Sequence, residues 1–439
     1  MKLFFGYNKF DLRSGKETPI IWDSTTVINH HMLIAGGSGT GKTHLLRNII
    51  NQTMSSSSKV RIHIIDFHGD IEIPNSSTIK FSESTSYGFN PLIVSDDPHF
   101  GGVRKRVQSF IKSLNRAGRQ LGTKQEAALR NLLTDLYAAN GFYANDPKSW
   151  KLEDGVSRKF PKKYPTLNDA LKFSSFKLNA MSLGANNKAM ATLEQLNRTA
   201  SRMYAKLKRS NSAKDDEAMQ KAVEELEEIK LKAITEYTDY VNSIKTGNEL
   251  GDLVKYDSKD VLKSIVERLE NLNSMGIFKN EMPPFDKDNQ IWRYEISSLL
   301  LEEKKLFVNF LLENIFAYRF SQGVQTDVQE IIVLDEAHVY FTDEAENIIN
   351  IIAKEARKFG LGLICASQSP THFSEDFMTN VSCKAILGID ETYWANTEKK
   401  LNIPSKNLSY IIPQKDMLIQ IKNKKENRSV FLPCSFRKS

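Results

Sequence analysis

Residues 36–43 read Gly-Gly-Ser-Gly-Thr-Gly-Lys-Thr, a full G-x-x-x-x-G-K-[ST] match, set between an apolar run (Met32-Leu33-Ile34-Ala35) and a helix-like stretch from His44 to Gln52. Strand, glycine-rich loop and helix in that order constrain the fold to an α/β sheet carrying a phosphate-binding loop. Backbone N–H groups must turn inward and approach an anion closely, in conformations that a Cβ obstructs. Gly36, Gly37, Ser38, Gly39, Thr40, Gly41, Lys42, Thr43 and His44 are therefore the candidate nucleotide-binding residues. Lys42 is placed to reach the β- and γ-phosphates and Thr43 to offer its hydroxyl to Mg²⁺, with the positive end of the following helix facing the phosphate charge.

A second motif supplies charge of the opposite sign. Glu330-Ile331-Ile332-Val333-Leu334-Asp335-Glu336 is a short apolar run ending in two carboxylates, the way a buried parallel strand delivers side chains to the carboxyl edge of a sheet. Asp335 is the candidate Mg²⁺ ligand and Glu336 the candidate base that polarises an attacking water. The alternative is an acidic pair that merely caps a helix. Downstream, a helix-like stretch from Asn347 to Phe359 carries Lys354, Arg357 and Lys358, and Leu361-Gly362-Leu363-Ile364-Cys365-Ala366 reads as a buried strand ending in Ser367-Gln368. Gln368, at the end of a strand next to the acidic one, is expected to sense the γ-phosphate; its alternative is a turn-capping amide.

Asp335-Glu336-Ala337-His338 also spells the box of the DEAH helicases, which place two RecA-like domains in one chain. Roughly 100 residues follow His338, about one small domain's worth, and they must first complete the sheet of the P-loop domain. The other half of the site is therefore expected from a neighbouring subunit in a closed head-to-tail ring, with Arg357 as the candidate residue reaching across; the alternative for Arg357 is an ion pair with a residue such as Glu346.

Asp66-Phe67-His68-Gly69-Asp70, Gly88-Phe89-Asn90-Pro91-Leu92, and Ala356 to Leu363 leading to Ser367-Gln368-Ser369-Pro370 together resemble the HerA/FtsK superfamily of ring ATPases, which includes DNA-pumping HerA proteins, FtsK translocases and conjugation ATPases. The resemblance covers about residues 25–95 and 288–425. It implies a RecA-like sheet, a homo-hexamer, ATP and Mg²⁺ as cofactors, and ATP-driven movement of double-stranded DNA or of a partner. Two departures stand out. Only 35 residues precede Gly36, so the small β-barrel common in HerA proteins is not expected, and Asp70 stands where Glu is more usual.

Composition bounds the rest. With 40% hydrophobic and 26% charged residues over 439 positions, the chain reads as an ordinary globular protein with core enough for two or three domains. No run approaches a membrane span and the start lacks a secretory pattern, so a cytoplasmic protein is expected. Cys365, Cys383 and Cys434 show no paired spacing, and His63 and His68 are read as structural. A net charge of +7 favours an acidic partner only modestly, but between His99 and Gln125 seven basic residues stand with no acidic one. Lys105, Lys112, Arg116 and Arg119 fall on one helical face opposite Val103, Val107, Phe110, Ile111 and Leu114, making them the candidate DNA contacts; a solvated face is the alternative. The basic group Lys422, Lys424, Lys425, Arg428, Arg437 and Lys438 is read as a mobile end.

These signals divide the chain into an N-terminal part of the ATPase core (1–98), a mostly helical insertion with a possible antiparallel arm (99–286), and a C-terminal part of the core with the acidic and sensor strands (287–439). Three functions fit: a DNA-translocating ring ATPase; a ring that energises or scaffolds a nuclease, a phage-defence effector or a transfer apparatus; or a nucleotide-gated assembly platform in which hydrolysis is only a timer.

Overall fold

The computed structural model describes residues 1–56, 59–99, 101–117, 120–152, 162–183, 187–210, 216–243, 249–342, 347–426 and 429–436. They form two compact units, one of residues 1–89 with 275–439 and one of residues 90–274.

The first unit is built on a sheet of eleven strands, numbered in chain order: β1 (Lys2–Asn8), β2 (Pro19–Asp23), β3 (Met32–Ala35), β4 (Arg61–Asp66), β5 (Ser77–Lys80), β6 (Ile291–Glu295), β7 (Glu330–Leu334), β8 (Leu361–Ser367), β9 (Cys383–Ile386), β10 (Asp416–Ile421) and β11 (Leu432–Ser435). Their spatial order is β2-β1-β11-β10-β9-β3-β8-β7-β4-β6-β5. From β9 to β5 every pairing is parallel; from β9 to β2 every pairing is antiparallel. The reason is legible in the residues. β3, β7 and β8 are buried at every position, as strands covered on both faces must be, whereas β1 and β2 begin by alternating exposed and buried side chains. This is the α/β P-loop core expected from the motifs, and a helical unit is inserted between β5 and β6.

The acidic strand β7 is not next to the P-loop strand β3. β8 lies between them, paired in parallel with both. Parallel pairing brings the carboxyl ends of β3, β8, β7 and β4 to one edge, the edge where loops of such sheets carry ligands.

The C-terminal segment corrects one expectation. β11 lies between the basic residues read as a mobile end, and it pairs with β10 on one side and β1 on the other, inside the sheet. Lys422 Nζ donates to the Thr379 carbonyl and Lys424 Nζ to that of Thr25, both at 2.9 Å, so these lysines are tied to the core. The short sequence Leu-Pro-Cys-Ser has little strand propensity, and backbone pairing with two ready neighbours decides its conformation. Arg428, Arg437 and Lys438 lie outside the described residues.

The second unit is helical. Helices Thr123–Ala139, Leu167–Leu183, Glu249–Tyr256 and Lys259–Ser274 contribute Leu132, Met181, Tyr256 and Leu262 to a buried cluster, and helix Val103–Ala117 packs against Thr123–Ala139. Helices Asn187–Ser210 and Asp216–Ser243 pack along each other, and Gln195 Nε2 donates to Glu236 Oε1 at 2.9 Å, an antiparallel register. The unit starts and stops earlier than residues 99 and 286. Asn90 Nδ2 donates to the Pro165 carbonyl (3.0 Å) and Tyr137 Oη to that of Leu92 (2.6 Å), tying 90–98 to the helices. Phe89 N–H to Ile277 O and Lys279 N–H to Phe89 O, both 3.1 Å, tie the return segment to the sheet unit.

Candidate nucleotide-binding site

The loop after β3 is pinned by the strands on either side. Gly36 N–H donates to Ser367 O at the end of β8 (3.0 Å), and Gly37 N–H to Gly388 O just beyond β9 (2.7 Å). A Cβ at Gly36 would lie 2.6 Å from Thr40 Oγ1 and 2.8 Å from Leu387 Cβ, so only glycine fits there. Gly41, with φ +106°, makes the turn into helix Lys42–Ser56 in a conformation L side chains rarely adopt. Lys42 Nζ donates to the carbonyls of Gly36 (2.7 Å) and Gly37 (3.3 Å), which holds the ammonium inside the curl of the loop. Thr43 and exposed His44 line the same cleft, together with Ser38, Gly39 and Thr40; its volume is about 850 Å³.

Across β8 stands the acidic side. Asp335 and Glu336 are both 7% exposed, and both line the cleft with Gln368 and Asp70. Burial, the neighbouring Glu336 and the more distant Asp70 and Asp66 push the Asp335 carboxyl up to about 7. Glu336 moves the other way: burial would raise it, but His338, Lys42 and Gln368 outweigh that and hold it below its ordinary range. Two adjacent carboxyl groups are thus separated in proton affinity, the pattern by which neighbouring acids take different roles. Glu336 adopts φ 43°, ψ 44°, a left-handed backbone that costs a non-glycine residue roughly 1–3 kcal/mol and turns the chain sharply at the strand end.

Asp66, Asp70 and Asp335 each offer a carboxylate oxygen within 4.8 Å of the others. Asp66 is already engaged. Its Oδ2 accepts from Arg293 Nε (2.9 Å) and Nη2 (2.7 Å) and from Ile71 N–H (3.0 Å), and its Oδ1 from Gly69 N–H (2.7 Å). Asp66 therefore holds the 67–71 turn in place, while Asp335 and Asp70, which line the cleft with Thr43, are the carboxylates that would ligate a cation there. The set is all oxygen and net negative, which fits a hard divalent ion, and such an ion would offset the repulsion that raises Asp335.

Several contributors carried no sequence signal. His338 Nδ1 lies 3.1 Å from Glu336 Oε2 and 3.3 Å from Ser367 Oγ, and Ser367 Oγ lies 3.0 Å from His372 Nδ1, a polar chain leading from Glu336 behind β8. His68, read as structural, borders the cleft with Nε2 3.9 Å from Glu336 Oε1. Gln414 braces the loop from the far side, donating from Nε2 to Gly39 O (2.8 Å) and from its N–H to Thr40 O (3.2 Å). His338 stands in the DEAH spelling and His68 in the Asp66-to-Asp70 motif, but neither pattern marked the histidine as part of the site.

Arg357 lies elsewhere. It is exposed on the one-turn helix Ala356–Phe359 that precedes β8, whereas Gln368 follows β8. A seven-residue strand puts roughly 20 Å between these two edges, so Arg357 is not part of its own chain's phosphate site. Of the basic stripe, the helix and its apolar face are present: Val103, Val107, Phe110, Ile111 and Leu114 are buried. Lys105 Nζ donates to His99 O at 2.6 Å, Lys112 is half-buried, the Arg116 side chain lies outside the described residues, and so does Arg119.

Comparison with known proteins identifies the family and the fold. The family model for the central domain of helicase HerA matches residues 11–315. The chain belongs to that family. The match contains the P-loop and ends before β7. A DNA double-strand break repair helicase HerA from Pyrococcus furiosus is 34% identical over 80 residues, 16% of this chain and 14% of that protein. The alignments with this and other curated relatives span less than a third of their length. Among solved structures, VirB4 of Thermoanaerobacter pseudethanolicus superposes with a TM-score of 0.60 at 13% identity, covering 100% of this chain and 96% of that one. The plasmid coupling protein TrwB, in complex with ADP and Mg²⁺, gives 0.52 at 11% identity over 100% of this chain and 95% of that one. These similarities establish the HerA-like P-loop fold. No described helix is long and apolar enough to cross a membrane.

Proposed function

We propose that this HerA-family chain is a Mg²⁺-dependent ATPase that assembles as a homo-hexamer and couples hydrolysis to translocation or remodelling of duplex DNA. The observation that carries the reading is the convergence of Lys42, Gln368 and Asp335/Glu336 on one sheet edge across three successive strands, β3, β8 and β7. The loop N–H groups and Lys42 bind the β- and γ-phosphates. Thr43 and Asp335, with Asp70 in the same cleft, would hold Mg²⁺, which would supply positive charge to offset that of the phosphates. Glu336, kept ionised by His338, Lys42 and Gln368, orients the attacking water, and Gln368 contacts the γ-phosphate from between the two halves. That TrwB binds ADP with Mg²⁺ and that HerA relatives are named as helicases supports the choice of cofactors and of DNA.

Metal binding carries a pH signature. Asp335, raised to about 7, holds a proton below that pH and must release it to ligate a cation. Affinity for Mg²⁺ with nucleotide is therefore expected to fall as pH drops through about 7 and to level off above it, and Asp335→Asn should remove the pH dependence along with most of the affinity. Calorimetric titrations of parent and Asp335→Asn at a series of pH values measure it, the difference between the two profiles removing the titration of ATP itself; profiles of the same shape mean that Asp335 does not set the pH dependence.

The DNA part is tested by salt. Each phosphate contact contributes about −0.9 to the slope of log affinity against log salt, so reversing Lys105 and Lys112 together should flatten it by roughly two units. The second reading, a ring that energises a nuclease, a defence effector or a transfer apparatus, gains from the Lys105 bond to its own unit's backbone. An unchanged slope together with ATPase activity indifferent to DNA would favour it.

A further inference from the structure

The cleft has a second flank that the phosphate chemistry does not use. Asp335, Glu336 and Gln368 border it from the β7 and β8 side of the loop, whereas Phe4, Phe5 and Gly6 of β1, Gln414 before β10 and Phe436 after β11 border it from the other. A nucleotide whose γ-phosphate meets Glu336 and whose β-phosphate sits in the loop must extend its ribose and base away from β7, toward β1 and β11.

What waits there is aromatic. Phe4 is 39% exposed, a large apolar side chain at the cleft rather than in the core. Residues three apart point to opposite faces of a regular strand, but the pairing of β1 with β2 shifts register between Phe4 and Gly6, and the rings of Phe4 and Tyr7 meet edge to face at 5.1 Å. The backbone of Phe4 is clamped at both polar atoms: its N–H donates to Gln52 Oε1 (2.7 Å) and its carbonyl accepts from Gln52 Nε2 (2.8 Å). Gln52 belongs to helix Lys42–Ser56, the helix that begins with Lys42 and Thr43, and its Nε2 also reaches Oδ1 of Asn48, which lines the cleft one turn nearer the loop (3.2 Å). The Phe4 backbone, from which the ring projects, is thereby tied through one helix to the phosphate-binding residues.

We propose that the base of the bound nucleotide stacks on the Phe4 ring, in a subsite that Phe436 and Asn48 complete. An aromatic face offers every purine or pyrimidine a sequence-tolerant contact, and Asn48 adds a polar group for the base edge or the ribose. The proposal rests on the nucleotide reading above, and N-terminal strand β1, joined to the sheet through β11, becomes part of the active site rather than an edge decoration.

The test compares Mg²⁺-ATP with inorganic tripolyphosphate, which has the phosphates but no base, by equilibrium binding to the full chain. The Phe4→Ala variant keeps the backbone clamp and is expected to lose about 10-fold or more in ATP affinity while binding tripolyphosphate like the parent. Phe4→Trp should retain ATP affinity, and ATP but not tripolyphosphate should quench its added fluorescence over the parent's. Equal losses for both ligands, or none for either, overturn the stacking role, as does a parent that binds ATP no tighter than tripolyphosphate. If neither ligand binds the parent in a way that Lys42→Ala abolishes, the nucleotide reading itself fails and the subsite with it.

Discussion

Glu336→Gln is expected to bind ATP with Mg²⁺ about as well as the parent and to hydrolyse it roughly 10²- to 10⁴-fold more slowly, the usual contribution of a positioned general base. The geometry separates the two functions. On the proposed reading phosphate binding falls to the loop and Lys42, whose ammonium lies within 2.7 Å of Gly36 O, while the Glu336 carboxylate stands across β8 beside Gln368 and His338. An amide keeps the size and the left-handed turn but cannot accept a proton from water. Single-turnover hydrolysis and nucleotide binding on the same preparation measure it; turnover within a few-fold of the parent would show that another group activates the water. By the same logic Lys42→Ala should lose tight binding, because it removes charge that meets the ground-state phosphates.

Arg357→Ala should leave assembly and ATP binding intact and lower hydrolysis by about 10³ to 10⁵, the range of an arginine supplied to a neighbour's γ-phosphate. Position rules out action in cis, since Arg357 precedes β8 and its own chain's candidate phosphate site follows it, so the expected effect requires a neighbouring subunit. Among the described residues no carboxylate pairs with it, Glu355 included, whereas Lys354, three residues earlier, is bound to Asp376 at 2.7 Å; Glu346, the other alternative partner, lies outside them. Mixing separates the readings. Lys42→Ala subunits lack a working pocket but keep Arg357, and Arg357→Ala subunits keep the pocket, so random rings contain some interfaces with both. Two inactive proteins should together regain measurable hydrolysis. A mixture that stays inactive, although Lys42→Ala and parent subunits mix with graded activity, assigns Arg357 no role across the interface; full activity of Arg357→Ala alone removes it from catalysis.

The chemistry-bearing half of the candidate site was legible because its requirements are local. A phosphate loop needs glycine at Gly36 and Gly41 and a lysine at the helix start, wherever the rest of the chain goes. A buried parallel strand needs consecutive apolar residues, and Glu330 to Leu334 announces itself by them. His68 was read as structural because one histidine after a strand has no local requirement that marks it; its place beside Glu336 depends on the turn that Asp66 and Arg293 hold, and Arg293 is more than two hundred residues away.

By itself the sequence determined the fold class, the P-loop, the acidic strand and the helical character of the inserted segment, all of which follow from periodicity and from residue types confined to one backbone conformation. Tertiary structure alone decided which strands stand side by side. That β8 separates β3 from β7, that β11 fills the place between β10 and β1, and that Gln52 clamps Phe4 at the edge of the cleft are consequences of long-range pairing. Backbone hydrogen bonds between strands are nearly indifferent to side-chain identity, so they leave little trace in composition or spacing; only the assembled sheet shows which ends share an edge and what chemistry that edge brings together.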